Sequence, residues 1–345
     1  MSLSVLRYFL ILLFALFTSQ AFCQSKLLEV PALKGDGIYN LLRRHGLDAS
    51  YLTSFLELNK SNLGKDNSLY AGRSYVLPSK SEAPKDKAAA IPPAATSSSL
   101  MVHQPLFGKE NARIEIKDQQ LKGAVYYLVS GHAGPDPGAI GQYGPYQLAE
   151  DEYAYDVTIR LAKRLMEHGA TVYMIVQDEN DGIRDETILK LDRDEVNYSG
   201  SKISLNQVER LRQRTDAINK LSATHKGQFQ RMLAIHVDSR SKGQNIDVYF
   251  YHHENSAAGQ KLAESIHATF TSKYNRYQPN RDYFGSVSER SSLYVVKYSH
   301  PPTVFIELGN IRNNIDQRRF VIPNNRQALA NWICEGILDD YKTNK

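Results

Sequence analysis

Residues 125–141 read VYYLVSGHAGPDPGAIG. The stretch opens with an apolar run, residues 125–129, and then breaks into glycine and proline. A short run of this kind is a buried strand, and the break is the turn that ends it. His132 stands where the run stops. A buried strand that ends in a glycine-bounded polar residue presents that side chain at the edge of an α/β sheet. His132 is thus a ligand, a base or a turn residue, and only partners elsewhere in the chain can decide between these.

Working outward, the pattern around this strand is that of an α/β domain with a mixed, mostly parallel sheet flanked by helices. Residues 113–117 alternate apolar and charged, as an outer strand would. Tyr153, Val157, Leu161 and Leu165 recur at helical spacing over residues 153–168, and Gly169 caps that helix. Residues 171–176 read as a second buried strand. An amphipathic helix is expected over 205–221, with Val208, Leu211, Ile218 and Leu221 on its apolar face. Further strands are expected at 232–236, 246–251 and 303–308, and helices at 257–270 and 328–338. Between them, residues 177–204 are polar with a few spaced aliphatics. No core role is visible there, so the segment reads as a surface insertion: a lid, a place where a regulatory protein docks, or mere decoration.

Two more strand ends resemble the first. His236 follows an apolar triplet, and Glu307 follows Val304, Phe305 and Ile306. In a parallel sheet the carboxyl ends of strands share one edge, and polar residues there converge on a crevice. Glu150, at the entry of the 153–168 helix, can face the same crevice. Two histidines and a carboxylate suit a catalytic zinc ion with one open position. A separate carboxylate can take a proton from a water there and return it to a leaving amine. No HExxH-like motif is present, so spacing alone leaves other readings open. One is a glycoside hydrolase using Glu150 and Glu307 as paired carboxylates. Another is a non-enzymatic scaffold or activator in which the same fold is idle.

The motifs SGHAG with DPGAIG at 130–141, Glu150, Arg214 with Asn219, AIHVDS at 234–239 and FIELGN at 305–310 occur in one order. In that order they make residues 123–342 resemble the zinc-dependent N-acetylmuramoyl-L-alanine amidases, the type called amidase 3. The resemblance implies that His132, Glu150 and His236 bind Zn2+ and that Glu307 is the catalytic acid/base. It implies cleavage of the amide between N-acetylmuramic acid and the L-alanine of the stem peptide, with peptidoglycan as substrate and cell-wall remodelling or daughter-cell separation as the role. Glu152 is the competing ligand, because Glu150, Asp151 and Glu152 are consecutive. Counting back from Gly169 in the register that the resemblance implies gives Glu150. Arg214 and Asn219 are expected to hydrogen-bond loops that support the site, and Arg290 to contact a carboxylate of the peptide. Ala133 stands where the family pattern has glycine, His236 is followed by Val-Asp rather than Ala-Asn, and Leu-Gly-Asn follows Glu307 where Thr-Gly-Phe is common.

The rest of the chain frames this domain. Residues 26–78 are expected to form strand, helix, helix, strand, and they resemble a LysM module through Gly35-Asp36, Ile38, Leu58-Asn59 and the close Gly72, Tyr75, Leu77, Pro78. LysM modules bind N-acetylglucosamine-containing glycans, so the resemblance implies a cell-wall anchor. Residues 79–99, rich in Pro, Ala, Ser and Lys, read as a disordered linker, and the catalytic domain is expected over 100–345. At the start, Arg7, the apolar residues 8–17 and the exit ending in Cys23 make residues 1–23 a secretory signal peptide. The apolar run is short of the roughly 20 residues a membrane span needs, so no integral membrane segment is expected after cleavage. Cleavage fits after Ala21 or after Cys23. A lipidated Cys23 is disfavoured by the bulky Phe22 before it. The protein is therefore expected in the periplasm or at the cell surface. With Cys23 removed, Cys334 is alone and no intrachain disulfide can form. The net charge of +5 is too mild to make nucleic acid the default partner.

Overall fold

The computed structural model describes residues 28–33, 36–47, 51–64, 68–79, 100–239 and 245–345. The expected signal peptide with Cys23, Gly35 and the expected linker beyond Ser79 lie outside the described residues. The chain divides into two compact units, Met1–Thr96 and Ser97–Lys345.

In the first unit the strands Glu29–Pro31 and Ser74–Val76 pair antiparallel, with helices Ile38–Arg44 and Leu52–Leu58 between them in the chain. The order is the expected strand, helix, helix, strand. Val30, Leu41, Leu42, Phe55 and Tyr75 form its core. Asn59 ties the second helix to the second strand. Its Nδ2 donates to the carbonyls of Phe55 and Val76, and its Oδ1 accepts from Val76 N, each at 2.8 Å.

The second unit is built on a six-stranded sheet. Its elements in chain order are β1 (Ala124–Ser130), α1 (Glu150–Glu167), β2 (Thr171–Met174), α2 (Gln207–Thr224), β3 (Phe229–Asp238), β4 (Tyr249–His252), α3 (Ala257–Tyr277), β5 (Ser286–Glu289), α4 (Tyr294–Tyr298), β6 (Thr303–Asn310), α5 (Asn314–Val321) and α6 (Pro323–Asn344). Across the sheet the strands run β5-β4-β6-β3-β1-β2. All neighbours are parallel except β4 and β6, which are antiparallel. Every residue of β1 and β6 is buried. Strands covered by helices on both faces read as continuous apolar runs, which is why the two were visible in sequence.

Three expectations change. Residues 113–115 do form a strand, but it pairs with Met101–His103 in a separate two-stranded sheet rather than edging the main one. Strand β2 is the sheet's edge, so Thr171 is exposed and Val172 and Tyr173 are only half-buried. Helix α2 does not bury Val208, which is 62% exposed. Its inward face carries Arg210, Arg214 and Ile218 instead. Periodicity scores an arginine as outward, but these two are buried with specific partners described below.

The 177–204 segment is not loose decoration. Leu189 and Ile203 join the main core. Arg184 Nη1 donates to Glu152 Oε2 at 2.8 Å, and Arg184 N donates to Asp156 Oδ1 at 2.9 Å. Asp156 is fully buried on α1 and also accepts from Arg160 Nε at 2.7 Å and Arg326 Nε at 2.5 Å. Arg326 of α6, itself fully buried, donates to the carbonyls of Arg184 and Glu186 at 2.8 and 2.9 Å. One carboxylate thus joins α1, α6 and the segment. The sequence shows polar residues here, and the structure turns them inward onto one another. Asp156→Ala strands buried guanidinium groups, and breaking a buried ion pair in this way costs about 3–5 kcal/mol. Urea unfolding of the variant should show that loss of stability, and an unchanged midpoint would refute the account.

Candidate functional site

The sheet register fixes the site. On β3, Ile235 lies opposite Ser130 of β1, and His236 lies opposite Glu307 of β6. The three strands are parallel, so their carboxyl ends share one edge. After Ser130 the chain turns at Gly131 into His132, whose φ of 61° and the following Ala133 φ of 97° are left-handed. A left-handed backbone at non-glycine residues is costly and persists where its surroundings hold it. Here the Arg214 guanidinium donates to the His132 carbonyl, and Ala133 and Asp136 pair through their backbones.

The side chains of His132, Glu150 and His236 each place a donor atom within 4.8 Å of the other two. His132 Nε2 is 3.2 Å from Glu150 Oε2, and His236 Nδ1 is 3.1 Å from Glu150 Oε1. Backbone N–H groups hold the carboxylate: Ala139 N reaches Oε2 at 2.9 Å and Val237 N reaches Oε1 at 3.0 Å. The rings of the two histidines meet edge-on, with centroids 5.2 Å apart. Phe305 stacks on His236 at 4.2 Å. Glycine makes this closeness achievable. A Cβ at Gly131 would enter the His236 ring, and one at Gly138 would lie 2.6 Å from His132 and 2.8 Å from Glu150 Oε2.

The electrostatics follow from contact and burial. Burial disfavours a charged His132, but the hydrogen bonds its ring donates to Asp136 and Glu150 outweigh it and raise the imidazole to about 10. Burial alone would raise Glu150, yet its bonds to His132 and His236 hold it well below the usual carboxylate range. For His236 burial dominates and its pKa is lowered, with Glu150 pulling the other way.

Around these three lies a second set of partners. Asp136 Oδ2 is 3.1 Å from His132 Nδ1 and accepts from Arg210 Nη2 at 2.6 Å. That contact places a proton on Nδ1 and leaves Nε2 as the ring nitrogen directed at Glu150. Glu307 is buried in the C-terminal half of β6 and lines the same cavity, of about 610 Å³, as Asp136, Glu150, His236 and Asp238. Arg290 and Arg312 are on its wall as well. Arg290 lies 5.1 Å from the centre of the Tyr251 ring. No residue of 177–204 lines the cavity.

The structure therefore brings together His132, Glu150, His236 and Glu307. It separates Glu152, whose carboxylate is bonded to Arg184 and to Asp192 N. Arg214 and Asn219 bond supporting loops as expected: Asn219 Nδ2 donates to Tyr298 O at 2.9 Å and its Oδ1 accepts from His300 N at 2.7 Å. The roles of Asp136 and Arg210 were missed in sequence. Asp136 stands four residues after His132, and its place inside a glycine-proline turn was the available signal. His225 and His267 take local partners, Tyr173 Oη at 2.8 Å and Gly285 O at 3.0 Å, and His252 Nδ1 contacts His253 O at 3.1 Å.

Residues 127–339 match the N-acetylmuramoyl-L-alanine amidase family, amidase 3. The chain belongs to that family. The amidase is 25% identical over 219 residues to the germination-specific N-acetylmuramoyl-L-alanine amidase of Bacillus subtilis (strain 168), covering 63% of this chain and 80% of the relative. It is 26% identical over 223 residues to the probable cell wall amidase LytH of Staphylococcus aureus, covering 63% of this chain and 58% of that protein. Among solved structures, the CwlD amidase of Clostridioides difficile in complex with the GerS lipoprotein aligns at 18% identity and a TM-score of 0.48, over 64% of this chain and 99% of that one. The amidase AmiC2 of Nostoc punctiforme aligns at 20% and 0.45, over 64% and 97%.

Proposed function

We propose that this amidase is a zinc-dependent peptidoglycan hydrolase that cuts the amide between the lactyl group of N-acetylmuramic acid and L-alanine. The observation that carries the reading is the convergence of His132 Nε2, His236 Nδ1 and the Glu150 carboxylate at one strand edge, beside Glu307. Two imidazole nitrogens and one carboxylate are a donor set that fits catalytic zinc. When bound, zinc polarises the scissile carbonyl and lowers the pKa of a water to about 7.

The chain's own residues do the rest. Asp136, held by Arg210, keeps the His132 proton on Nδ1. Arg214 fixes the loop that carries the ring. The Glu307 carboxylate accepts the proton of the attacking water and delivers it to the departing alanine nitrogen. Glu150 is bonded to both histidines and two backbone amides, so it is not the second carboxylate that glycoside hydrolysis requires. Asp136→Asn should weaken zinc binding about 10- to 100-fold, the usual effect of removing such a partner. Competition with a chromogenic chelator measures this, and wild-type affinity would exclude the role.

Arg290 is proposed to bind a carboxylate of the stem peptide. Arg290→Ala should raise KM and leave kcat near wild type. A normal KM would remove Arg290 from the substrate site. The first unit is proposed as a LysM-like glycan binder, tested by binding of chito-oligosaccharides to the full chain. Residues 1–23 are proposed as a secretory signal and 79–99 as a linker, placing the enzyme in the periplasm or at the cell surface. A regulatory protein docking on 177–204 would act through α1 or the His132 loop, which that segment contacts, because it lines none of the cavity itself. Purified peptidoglycan digested by the enzyme decides the central reading. Stem peptides with a free L-alanine amine, identified by mass spectrometry, support it; newly exposed sugar ends would reject it.

A further inference from the structure

Behind Glu150, away from the cavity, lies a second group of acids. Asp151 and Glu152 of α1 and Glu195 of the 177–204 segment each place one carboxylate oxygen within 4.8 Å of the others, and all three are buried. Their partners do not balance them. Glu152 Oε2 accepts from Arg184 Nη1 at 2.8 Å and its Oε1 from Asp192 N at 3.0 Å. Glu195 Oε2 accepts from Gly134 N at 2.7 Å. Asp151 Oδ1 accepts from Glu152 N at 2.9 Å. Asp151 Oδ2 has no hydrogen-bond partner, although the residue is only 1% exposed. Arg184 is the one guanidinium hydrogen-bonded to the group among the described residues.

A buried carboxylate oxygen without a donor is expensive, and neighbouring carboxylates add repulsion. A hard cation removes both costs. Oxygens bound to calcium at 2.3–2.6 Å lie up to about 5 Å apart across the ion. The 4.8 Å spread fits around one such ion. Zinc prefers nitrogen and sulfur donors, so an all-carboxylate group suits calcium better. We propose that Asp151, Glu152 and Glu195 hold a calcium ion that fastens the 177–204 segment to the start of α1. The ion is structural. Glu195 also holds Gly134 N, two residues past His132, so the ion would brace the loop that carries that histidine.

This inference does not depend on the amidase reading, and its test keeps the two apart. Full-length protein loaded with zinc and freed of calcium is titrated with calcium alone, followed by calorimetry and by thermal melting. Wild type should bind calcium and melt at higher temperature. Asp151→Asn and Glu195→Gln should each lose both responses while keeping their zinc. His236→Ala, which removes a donor of the other site, should keep the calcium response. No heat and no melting shift in wild type overturns the proposal. An undiminished response in Glu195→Gln also overturns it, and assigns the ion to the nearby Asp178, Asp192 and Asp194 group instead. If the variants do not fold, terbium luminescence on wild type, displaced by calcium, still decides: no sensitised emission refutes the site.

Discussion

Glu307→Gln is expected to retain zinc and lose nearly all hydrolysis. Glu307 stands outside the trio that shares the 4.8 Å cluster, so its substitution removes no donor atom. The amide has the carboxylate's shape, so β6 and the packing around Phe305 should persist. What disappears is a group that can carry a proton from water to the leaving nitrogen. General acid–base catalysis of this kind contributes about 10²–10⁴-fold, and a poor leaving group such as an amine puts the loss toward the upper end. Metal analysis of the purified variant and release of stem peptides from peptidoglycan give the two readouts. Full zinc with activity within a few-fold of wild type would exclude Glu307 as the proton carrier. Loss of zinc together with activity would make it a structural member of the metal site instead.

The lining of the cavity was legible in sequence to the extent that strand ends announce themselves. β1, β3 and β6 are apolar runs that stop at polar residues, and a parallel sheet places such stops on one edge. The position of Glu150 rested on the family resemblance, whose register counted back along α1 from Gly169 falls on it. Its neighbour Glu152 points to Arg184, a contact from a segment whose fold gave no periodic signal. The same limit explains α2. Arg210 looks like a solvent-facing charge until the Asp136 carboxylate of the His132 loop is seen to meet it, whereas Arg214 was expected to bond a supporting loop and reaches the His132 carbonyl. Residues 177–204 were opaque for a related reason. Their burial rests on ion pairs and hydrogen bonds to α1 and α6, which are long-range and follow no hydrophobic period.

Gly131→Ala should leave the domain folded and remove metal binding. The glycine ends β1 and faces His236, and the added Cβ would occupy the position of the imidazole ring. A flexible surface side chain would swing aside. His236 is held by Glu150 on one nitrogen and by Phe305 stacked at 4.2 Å on its face, so rotation sacrifices both contacts. With the ring displaced, two of the three donors remain, and zinc affinity should fall by at least about 100-fold, more than loss of an outer partner produces. The backbone at Gly131 is not left-handed, so its conformation should not oppose alanine. The measurement pairs zinc affinity with the melting temperature of the metal-free protein. A large affinity loss with a metal-free melting temperature close to wild type places the effect in the site. Retained wild-type affinity would mean that His236 does not donate to the metal from the position it occupies here. A collapse of the metal-free protein would instead make Gly131 a packing residue of the sheet edge.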